Sequence, residues 1–177
     1  MESPPEERKL FSFLDNLGIL TQTYRHAPVY TVADAQEHCS HIPGGHSKNL
    51  FVRDKKKQRA LAVVDDSLTV DLNALAGKIG FNRLSFCSTD SLQSMLGVLP
   101  GSVTPFALVN AQVPKGGKPA LTVVLDKTLM SHEIVNFHPL HNAATTAIKP
   151  ADLVIFIRAC GYEPVLLDII PTNLDKF

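Results

Sequence analysis

The pattern of hydrophobic and polar residues predicts a chain that mixes helices with consecutive strands. Apolar residues at helical spacing, with capping residues at the ends, predict helices over residues 6–17, 31–39, 71–79 and 89–96, and a last helix from Pro150 to Gly161. Short apolar runs predict strands over residues 21–25, 49–52, 60–64, 84–87, 106–110, 121–125, 134–137, 145–148 and 165–169. Because the two kinds of element do not alternate regularly, we expect an α+β fold, a mixed β-sheet with surrounding helices.

Two pairs of the predicted strands read as hairpins. Strands 49–52 and 60–64 are joined by a charged turn, and strands 106–110 and 121–125 flank the glycine-rich turn VPKGGKP. With 177 residues, no internal repeat and no linker, the chain is predicted to be a single domain over residues 1–177. Short flexible ends are expected at about residues 1–5 and 171–177.

Composition places the protein among soluble globular chains. Hydrophobic residues make up 45% of the sequence, which is typical of a folded domain rather than a disordered one. No apolar run approaches the ~20 residues that span a bilayer, and the charged N-terminus lacks the apolar core of a signal peptide. Three widely spaced cysteines fit neither a disulfide framework nor a zinc knuckle. We therefore expect a cytoplasmic protein with no membrane partner.

The charges are balanced overall but unevenly distributed. The 17 basic and 17 acidic residues give a formal net charge of zero, which argues against a protein that binds nucleic acid over its whole surface. Six of the basic residues lie between Lys48 and Arg59, with Asp54 as the one acid among them. This cluster is compatible with contact to one end of a nucleic acid. Composition alone favours a solvated hairpin tip.

Several familiar chemistries are disfavoured by the motifs. His132 and Glu133 begin like the zinc motif HExxH, but residue 136 is Asn, so no metal is predicted. The KGGK sequence at residues 115–118 resembles a fragment of a P-loop, but Pro119 follows where Ser or Thr is required. No G-x-S-x-G elbow occurs, and the cysteines lie in predicted helices or strands. We expect no cofactor.

Three segments carry candidate chemistry, each with a plain structural alternative. The loop from Gly101 to Pro105 could point backbone N–H groups at a developing oxyanion, or could simply lead into a strand. The polar segment 136–146 could line a pocket or form a capped turn. Lys48, at the start of a strand, could be solvent-facing or could supply a point charge for a phosphate or an ester.

Together these segments resemble the YbaK/prolyl-tRNA synthetase-associated editing-domain family, and within it the free-standing PrdX-like, ProXp-ala-type deacylases. The resemblance covers about residues 6–170. It rests on four colinear segments, at residues 26–31, 42–54, 96–108 and 135–148. Several motifs in the same order are far more specific than any one of them. The resemblance implies the YbaK-like fold.

The resemblance also implies a function, the hydrolysis of tRNA charged with the wrong amino acid; for the ProXp-ala type the substrate is alanyl-tRNA(Pro). The implied partners are the 3′ end of that tRNA and prolyl-tRNA synthetase. Lys48 would contact the tRNA 3′ end, and His138 would line the pocket. The amides of the family's GxxxP loop would face the scissile carbonyl, and this loop matches Gly101, Ser102, Val103, Thr104 and Pro105. The implied substrate-binding residues are Pro105, Asn142, Thr145 and Arg53.

Apart from Asp54 at the end of the second segment, no carboxylate falls in the matched motifs, so no strong general base is evident from the sequence. We expect the vicinal hydroxyl of the terminal ribose to orient or activate the water, with His138 as the first protein base to consider. The basic cluster between Lys48 and Arg59 could bind the acceptor stem of the tRNA through its phosphates. Two alternatives stay open: the same chemistry on cysteinyl- or seryl-tRNA, and a non-catalytic module that binds tRNA or a synthetase.

Overall fold

The computed structural model describes residues 3–169 and is built around one mixed sheet of eight strands. The strands are β1 Gln22–Arg25, β2 Gly45–Arg53, β3 Arg59–Asp65, β4 Ser85–Phe86, β5 Thr122–Asp126, β6 Val135–Phe137, β7 Ala144–Ile148 and β8 Val165–Leu167. The helices are α1 Pro5–Asn16, α2 Val32–Cys39, α3 Leu72–Ile79, α4 Thr89–Leu96, α5 Lys127–Met130 and α6 Pro150–Ala159. The predicted α+β class is confirmed.

The sheet order is β1-β7-β6-β2-β3-β5-β8, with β4 also paired to β2. The pairs β2–β6, β3–β5 and β5–β8 are parallel, and the remaining pairs are antiparallel. The predicted hairpin of β2 and β3 forms and is longer than expected, with an unbroken register from Ser47↔Asp65 to Arg53↔Arg59. Because the register has no bulge, alternate residues of these strands face opposite sides of the sheet.

The two faces of the sheet carry separate apolar clusters. Phe51, Leu61 and Val63 face a larger cluster, which α1, α4 and α6 cover with residues such as Leu10, Leu96 and Phe156. Alternate residues of the same strands, such as Val52 and Ala62, face a smaller cluster under α3. Phe106 sits at the centre of the larger cluster and makes edge-to-face contacts with Phe137 and Phe156.

Local capping explains why most helices fall where they were predicted. Thr31 and Asp34 form a reciprocal capping box at the start of α2. Asp71 caps α3 through the amides of its first turn, and Ser88 caps α4. Gly97 ends α4 in the left-handed conformation, with φ of +64°, as expected of a C-terminal glycine. These signals lie within a few residues of each other, so the sequence displays them directly.

The strand predicted at 106–110 is wrong, because Pro105–Asn110 is a 3-10 helix. Pro105 supplies a fixed φ without an N–H, and the Thr104 hydroxyl accepts from the Phe106 amide at 3.2 Å to start the turn. All five residues from Pro105 to Val109 are buried, so no alternation of burial marks the segment as helix or strand. The hairpin expected around VPKGGKP is therefore absent, and β5 pairs with β3 and β8 instead.

Smaller corrections concern the ends of elements. The short helix α5 was not predicted; it follows β5 directly, capped by the Asp126 carboxylate. The first helix was predicted from residue 6, and α1 begins one residue earlier, at Pro5. The flexible start expected at about residues 1–5 stays a prediction. The flexible end expected at 171–177 lies outside the described residues. Within residues 3–169, none of the helices has the length and apolarity needed to cross a membrane.

One edge of β2 is left open in its middle. Strand β6 pairs only with Gly45 and His46 of this edge, and β4 pairs only with Val52 and Arg53. Within residues 3–169, residues 47–50 therefore have no strand partner on that side, although β3 covers their other side throughout. This gap, called here the β2 gap, interrupts the sheet next to the point where the chain leaves β6 at Phe137.

Candidate functional site

His138 follows β6 directly and has a fixed tautomer. Its Nδ1 lies 2.9 Å from the carbonyl oxygen of Ala144. Because a carbonyl only accepts, Nδ1 carries the proton and Nε2 presents a lone pair. Burial lowers the pKa of His138, and the neighbouring rings of His26 and His141 lower it further. The imidazole is therefore neutral near pH 7, with Nε2 ready to accept a proton or a hydrogen bond.

A second histidine lies beside it. The ring centroids of His26 and His138 are 6.3 Å apart. His26 donates from Nδ1 to the Ala27 carbonyl at 2.8 Å, so its Nε2 accepts from the Thr145 hydroxyl at 2.9 Å. The sulfur of Cys39 lies 3.6 Å from the same Nε2, and burial raises the pKa of this thiol, which keeps it protonated. We call His26, Cys39, His138 and Thr145 the histidine cluster.

A buried ion pair holds the loop 138–143 that carries His138. The fully buried carboxylate of Glu7 on α1 lies 2.7 Å from Arg25 and 3.1 Å from Nε2 of His141. Burial raises the pKa of Glu7, but the bonds from Arg25 and His141 outweigh it and hold the pKa below its usual value. Leu140 in the same loop has φ of +73°, a conformation that costs a branched residue roughly 1–2 kcal/mol. The surrounding contacts maintain this strained turn.

Asn142 and Thr145, both predicted to bind substrate, have partners inside the protein. The side-chain amide of Asn142 donates to the Val29 carbonyl at 2.9 Å, and this bond links the loop 138–143 to the segment after β1. Thr145, 4% exposed, uses its hydroxyl to hold His26. In this structure their side chains position neighbouring groups, and neither is a freely exposed ligand for substrate.

Lys48 lies in the β2 gap. Lys48 follows the last paired residue of β2 on this side, His46, by two residues, and His138 follows its partner Asn136 by two residues. The Lys48 side chain alternates to the face away from the larger cluster. The ammonium of Lys48 donates to the Leu68 carbonyl, which fixes the side chain and leaves its other N–H donors for a ligand.

Asn49, the next residue in the gap, was not singled out from the sequence. Its Nδ2 donates to the Ser47 hydroxyl at 3.2 Å, and that hydroxyl donates to the Asn136 carbonyl. Its Oδ1 is buried and has no hydrogen-bond partner, one of three such side-chain atoms among the residues the structure describes. An unpaired buried acceptor costs free energy, so the open edge of β2 carries an unfavourable polar group at Asn49.

The loop from Gly101 to Pro105 keeps three backbone donors unpaired. The amide of Ser102 donates to the Leu99 carbonyl at 3.0 Å. Within residues 3–169, the amides of Gly101, Val103 and Thr104 have no such acceptor. The hydroxyl of Thr104 and the ring of Pro105 both start the 3-10 helix, so their side chains are structural. What the loop can offer to chemistry is its backbone N–H groups.

The position of this loop relative to Lys48 matters for any shared role. Val103 packs against the larger cluster, which lies on the face of the sheet opposite to the Lys48 side chain. Among the described strands, the sheet is open beside Lys48, at residues 47–50. We therefore take the β2 gap as the centre of the candidate site.

Arg53 is not brought to this centre. It ends β2, five residues beyond Lys48, which is about 17 Å away at a rise of about 3.4 Å per residue. It lines a separate cavity of about 490 Å³ together with Lys55, Lys57 and Arg83. His132, weighed above as the start of a zinc motif, is instead hydrogen bonded to the Asp65 carboxylate at 3.1 Å.

The sequence and the fold both match known proteins. The family model of the aminoacyl-tRNA editing domain matches residues 26–156. The prolyl-tRNA synthetase associated domain-containing protein 1 of Bos taurus is 36% identical over 165 residues, covering 90% of each chain. The prolyl-tRNA editing protein ProX of Acetoanaerobium sticklandii is 37% identical over 153 residues, covering 84% of this chain and 88% of the relative.

Solved structures support the fold. One described as a candidate trans-editing enzyme for prolyl-tRNA synthetase superposes with a TM-score of 0.71 at 19% identity, covering 95% of this chain and 98% of that chain. At this identity the likeness speaks for the fold alone. The match of the family model, together with relatives above 30% identity over most of the chain, shows that the chain belongs to the aminoacyl-tRNA editing domain family. The resemblance noted from the sequence is confirmed.

Proposed function

We propose that this protein is a trans-editing hydrolase that deacylates mischarged alanyl-tRNA(Pro). The observation that carries the proposal is the neutral His138, whose Nε2 lone pair is held beside the β2 gap by the bond from Nδ1 to Ala144. Lys48 in the β2 gap supplies a cation, and three unpaired amides in the loop from Gly101 to Pro105 supply oxyanion donors. The relative named ProX is a prolyl-tRNA editing protein, which supports the same reaction class.

The reaction is the attack of water on the ester carbonyl. The water oxygen bonds to the carbonyl carbon, and the developing oxyanion is stabilised by unpaired amides of the loop. The bond between that carbon and the ribose oxygen breaks, and the proton lost by the water ends on the ribose oxygen. The vicinal ribose hydroxyl orients the water and relays this proton, while His138 Nε2 accepts a hydrogen bond that holds the water or the hydroxyl in place.

Selection between amino acids follows from size. A synthetase site built for proline cannot strongly exclude alanine, since each missing methylene changes binding by only ~1–3 kcal/mol. A second, smaller site can hydrolyse alanyl esters and exclude prolyl esters, so the correctly charged tRNA survives. Prolyl-tRNA synthetase is then the source of the mischarged substrate and the proposed partner.

The test is a deacylation time course on tRNA(Pro) charged in turn with alanine, serine, cysteine and proline. We expect fast loss of alanine alone, and at least a hundredfold slower loss with Lys48→Ala, whose folding is checked by urea unfolding. Lys118→Ala, which removes the same charge from an exposed turn, should leave the rate unchanged. Release of serine or cysteine instead of alanine would show that the substrate is seryl- or cysteinyl-tRNA. No hydrolysis of any ester by a protein that still binds the tRNA would point to a binding module.

A second substrate distinguishes activation of the water by the ribose hydroxyl from activation by His138. We expect alanyl-tRNA(Pro) with a 2′-deoxy terminal ribose to react at least a hundredfold more slowly with the wild-type protein. A normal rate on this substrate would contradict the role given to the ribose hydroxyl. His138 would then have to act as the general base, and His138→Ala should abolish turnover of the deoxy substrate.

A further inference from the structure

Asp65 ends β3 and organises the turn that follows it. Its Oδ1 accepts from the amide of Ser67 at 3.0 Å and from the hydroxyl of the same residue at 2.6 Å. The amide of Leu68 donates to the Asp65 carbonyl at 3.1 Å and closes the turn. An aspartate in this position, with its side chain bonded to the amide two residues later, fixes the conformation of such a turn. We call these three residues, with Asp66 between them, the Asp65 turn.

The Asp65 turn supplies the acceptor that fixes Lys48. The ammonium of Lys48 donates to the carbonyl of Leu68. The turn is also bonded to β2 just before the lysine, because the Asp66 amide donates to the His46 carbonyl at 3.0 Å. The side chain of Leu68 packs against the smaller cluster, the side of the sheet to which Lys48 points. A lysine side chain has many rotamers, so the place of its ammonium depends on the place of this carbonyl.

His132 holds Asp65 from the other side. Its Nε2 lies 3.1 Å from Oδ2 of Asp65, and because a carboxylate only accepts, Nε2 carries the proton. Burial raises the pKa of Asp65, but the bonds from Ser67 and His132 outweigh it and hold the pKa below its usual value. The ring of His132 also packs on Gly45 at the start of β2, where a Cβ would lie 2.5 Å from Cδ2 of the ring. Both ends of this contact are therefore fixed.

The bonds at the Asp65 turn exceed what a turn needs. A turn that only closed the end of β3 would require the bonds of Asp65 to Ser67 and Leu68. Two long-range bonds are added to these, since His132 is 67 residues from Asp65 and Lys48 is 20 residues from Leu68. Together they join the segment before β6 to the lysine of β2 through one buried carboxylate.

We propose that Asp65, held by His132, is a positioning residue that fixes the Lys48 ammonium through the carbonyl of Leu68. Asp65 itself touches no substrate in this proposal. Its effect on hydrolysis rests on the proposed function, because that function gives Lys48 its role. The link from Asp65 to the lysine does not rest on it, and can be measured without any tRNA.

The first test measures the reactivity of the Lys48 amine in reductive methylation with formaldehyde and a borohydride, followed by mass spectrometry. Asp65→Ala should raise the methylation rate of Lys48, relative to Lys118 in the same protein, about two- to tenfold, the equivalent of one hydrogen bond. Ser67→Ala should change the ratio in the same direction and less. Ser88→Ala, which removes a hydroxyl that caps α4, is the stability control and should leave the ratio unchanged.

The second test is a double-mutant cycle on the hydrolysis of alanyl-tRNA(Pro). Asp65→Ala should slow the single-turnover rate about tenfold in the wild-type background, since small displacements of an active-site group are costly. In the Lys48→Ala background the same change should slow the rate less than twofold, because no ammonium is left to position. A general defect of the fold would slow both backgrounds equally.

Two substitutions of His132 separate its hydrogen bond from its place in the fold. His132→Leu removes the N–H that binds Asp65, whereas His132→Gln keeps a donor at a similar reach. We expect His132→Leu to raise the methylation ratio of Lys48 as Asp65→Ala does. We expect His132→Gln to stay within about twofold of the wild type. Urea unfolding checks that each variant is folded under the assay conditions.

The outcomes separate this proposal from the proposed function. If Asp65→Ala leaves the methylation ratio of Lys48 at the wild-type value, or slows hydrolysis equally in both backgrounds, the proposal is overturned. If the ratio rises but the wild type hydrolyses none of the esters, the positioning of Lys48 stands and the hydrolase proposal fails. If Asp65→Ala does not fold, equal methylation ratios in His132→Leu and His132→Gln overturn the proposal, and a higher ratio in His132→Leu supports it.

Discussion

Replacing Glu7 by Gln tests how the loop that carries His138 is held in place. Glu7 is fully buried and accepts bonds from Arg25 and His141, across 134 residues of sequence in the second case. Breaking a buried ion pair costs about 3–5 kcal/mol. Arg25 is half exposed and can turn to water, so we expect the low end, about 3 kcal/mol of unfolding free energy, or roughly 6–12 °C in Tm.

The effect should depend on pH in a defined direction. The pKa of Glu7 is held below its usual 4.5 in the folded protein. The stabilisation from the carboxylate is therefore complete above pH 4.5 and is lost as the pH falls through the folded-state pKa. The difference in unfolding free energy between wild type and Glu7→Gln should be full at pH 7 and should shrink below pH 4.5.

Urea unfolding at several pH values measures this difference, and alanyl-tRNA hydrolysis measures the consequence for the site. Glu163→Gln is the matched control, because Glu163 forms an exposed pair with Arg158 that should contribute at most about 0.5 kcal/mol. We expect Glu7→Gln to slow hydrolysis at least tenfold, since small displacements of reacting groups are costly. If Glu7→Gln and Glu163→Gln unfold at the same urea concentration, the buried pair does not hold the loop.

Three further changes have clear expected outcomes. Because the pKa of His138 is lowered, the single-turnover rate should stay constant as the pH falls from 8 to 6.5 and should decline only below that, as a pH–rate profile would show. Phe106→Ala should lower the unfolding free energy by about 3–5 kcal/mol in urea titrations, since it removes the centre of the larger cluster and two ring contacts. Gly97→Ala should lower the unfolding free energy by at least roughly 1–2 kcal/mol in the same assay. The reason is that φ at Gly97 is +64° and the added methyl would lie 2.8 Å from the Asn110 side chain.

The helices and most strands were predictable because their signals are local. The capping box of Thr31 and Asp34, the C-terminal Gly97 and the charged hairpin turn each lie within a few residues of the element they delimit. The 106–110 segment failed for the opposite reason. A run buried on every side has no periodicity, and the proline and capping threonine that start its 3-10 helix could equally precede a strand.

The site was only partly predictable, because its contacts join distant segments. The sequence pointed to His138, Lys48 and the loop from Gly101 to Pro105. It did not point to His26 as the partner of Thr145, 119 residues away. The β2 gap depends on β6 pairing in parallel with only two residues of β2, and no pattern within either strand indicates where such pairing stops. Arg83 joins the cavity that Arg53 lines through the same kind of long-range packing.

The most direct test of the account is the initial rate of alanine release from alanyl-tRNA(Pro), compared with proline release from prolyl-tRNA(Pro), at equal concentrations of the wild-type protein. The account predicts that alanine is released far faster than the ester hydrolyses in buffer, while proline is released at the buffer rate. Equal release of both amino acids would contradict the second-sieve argument. Release of neither, from tRNA that binds the protein, would contradict the assignment as a hydrolase.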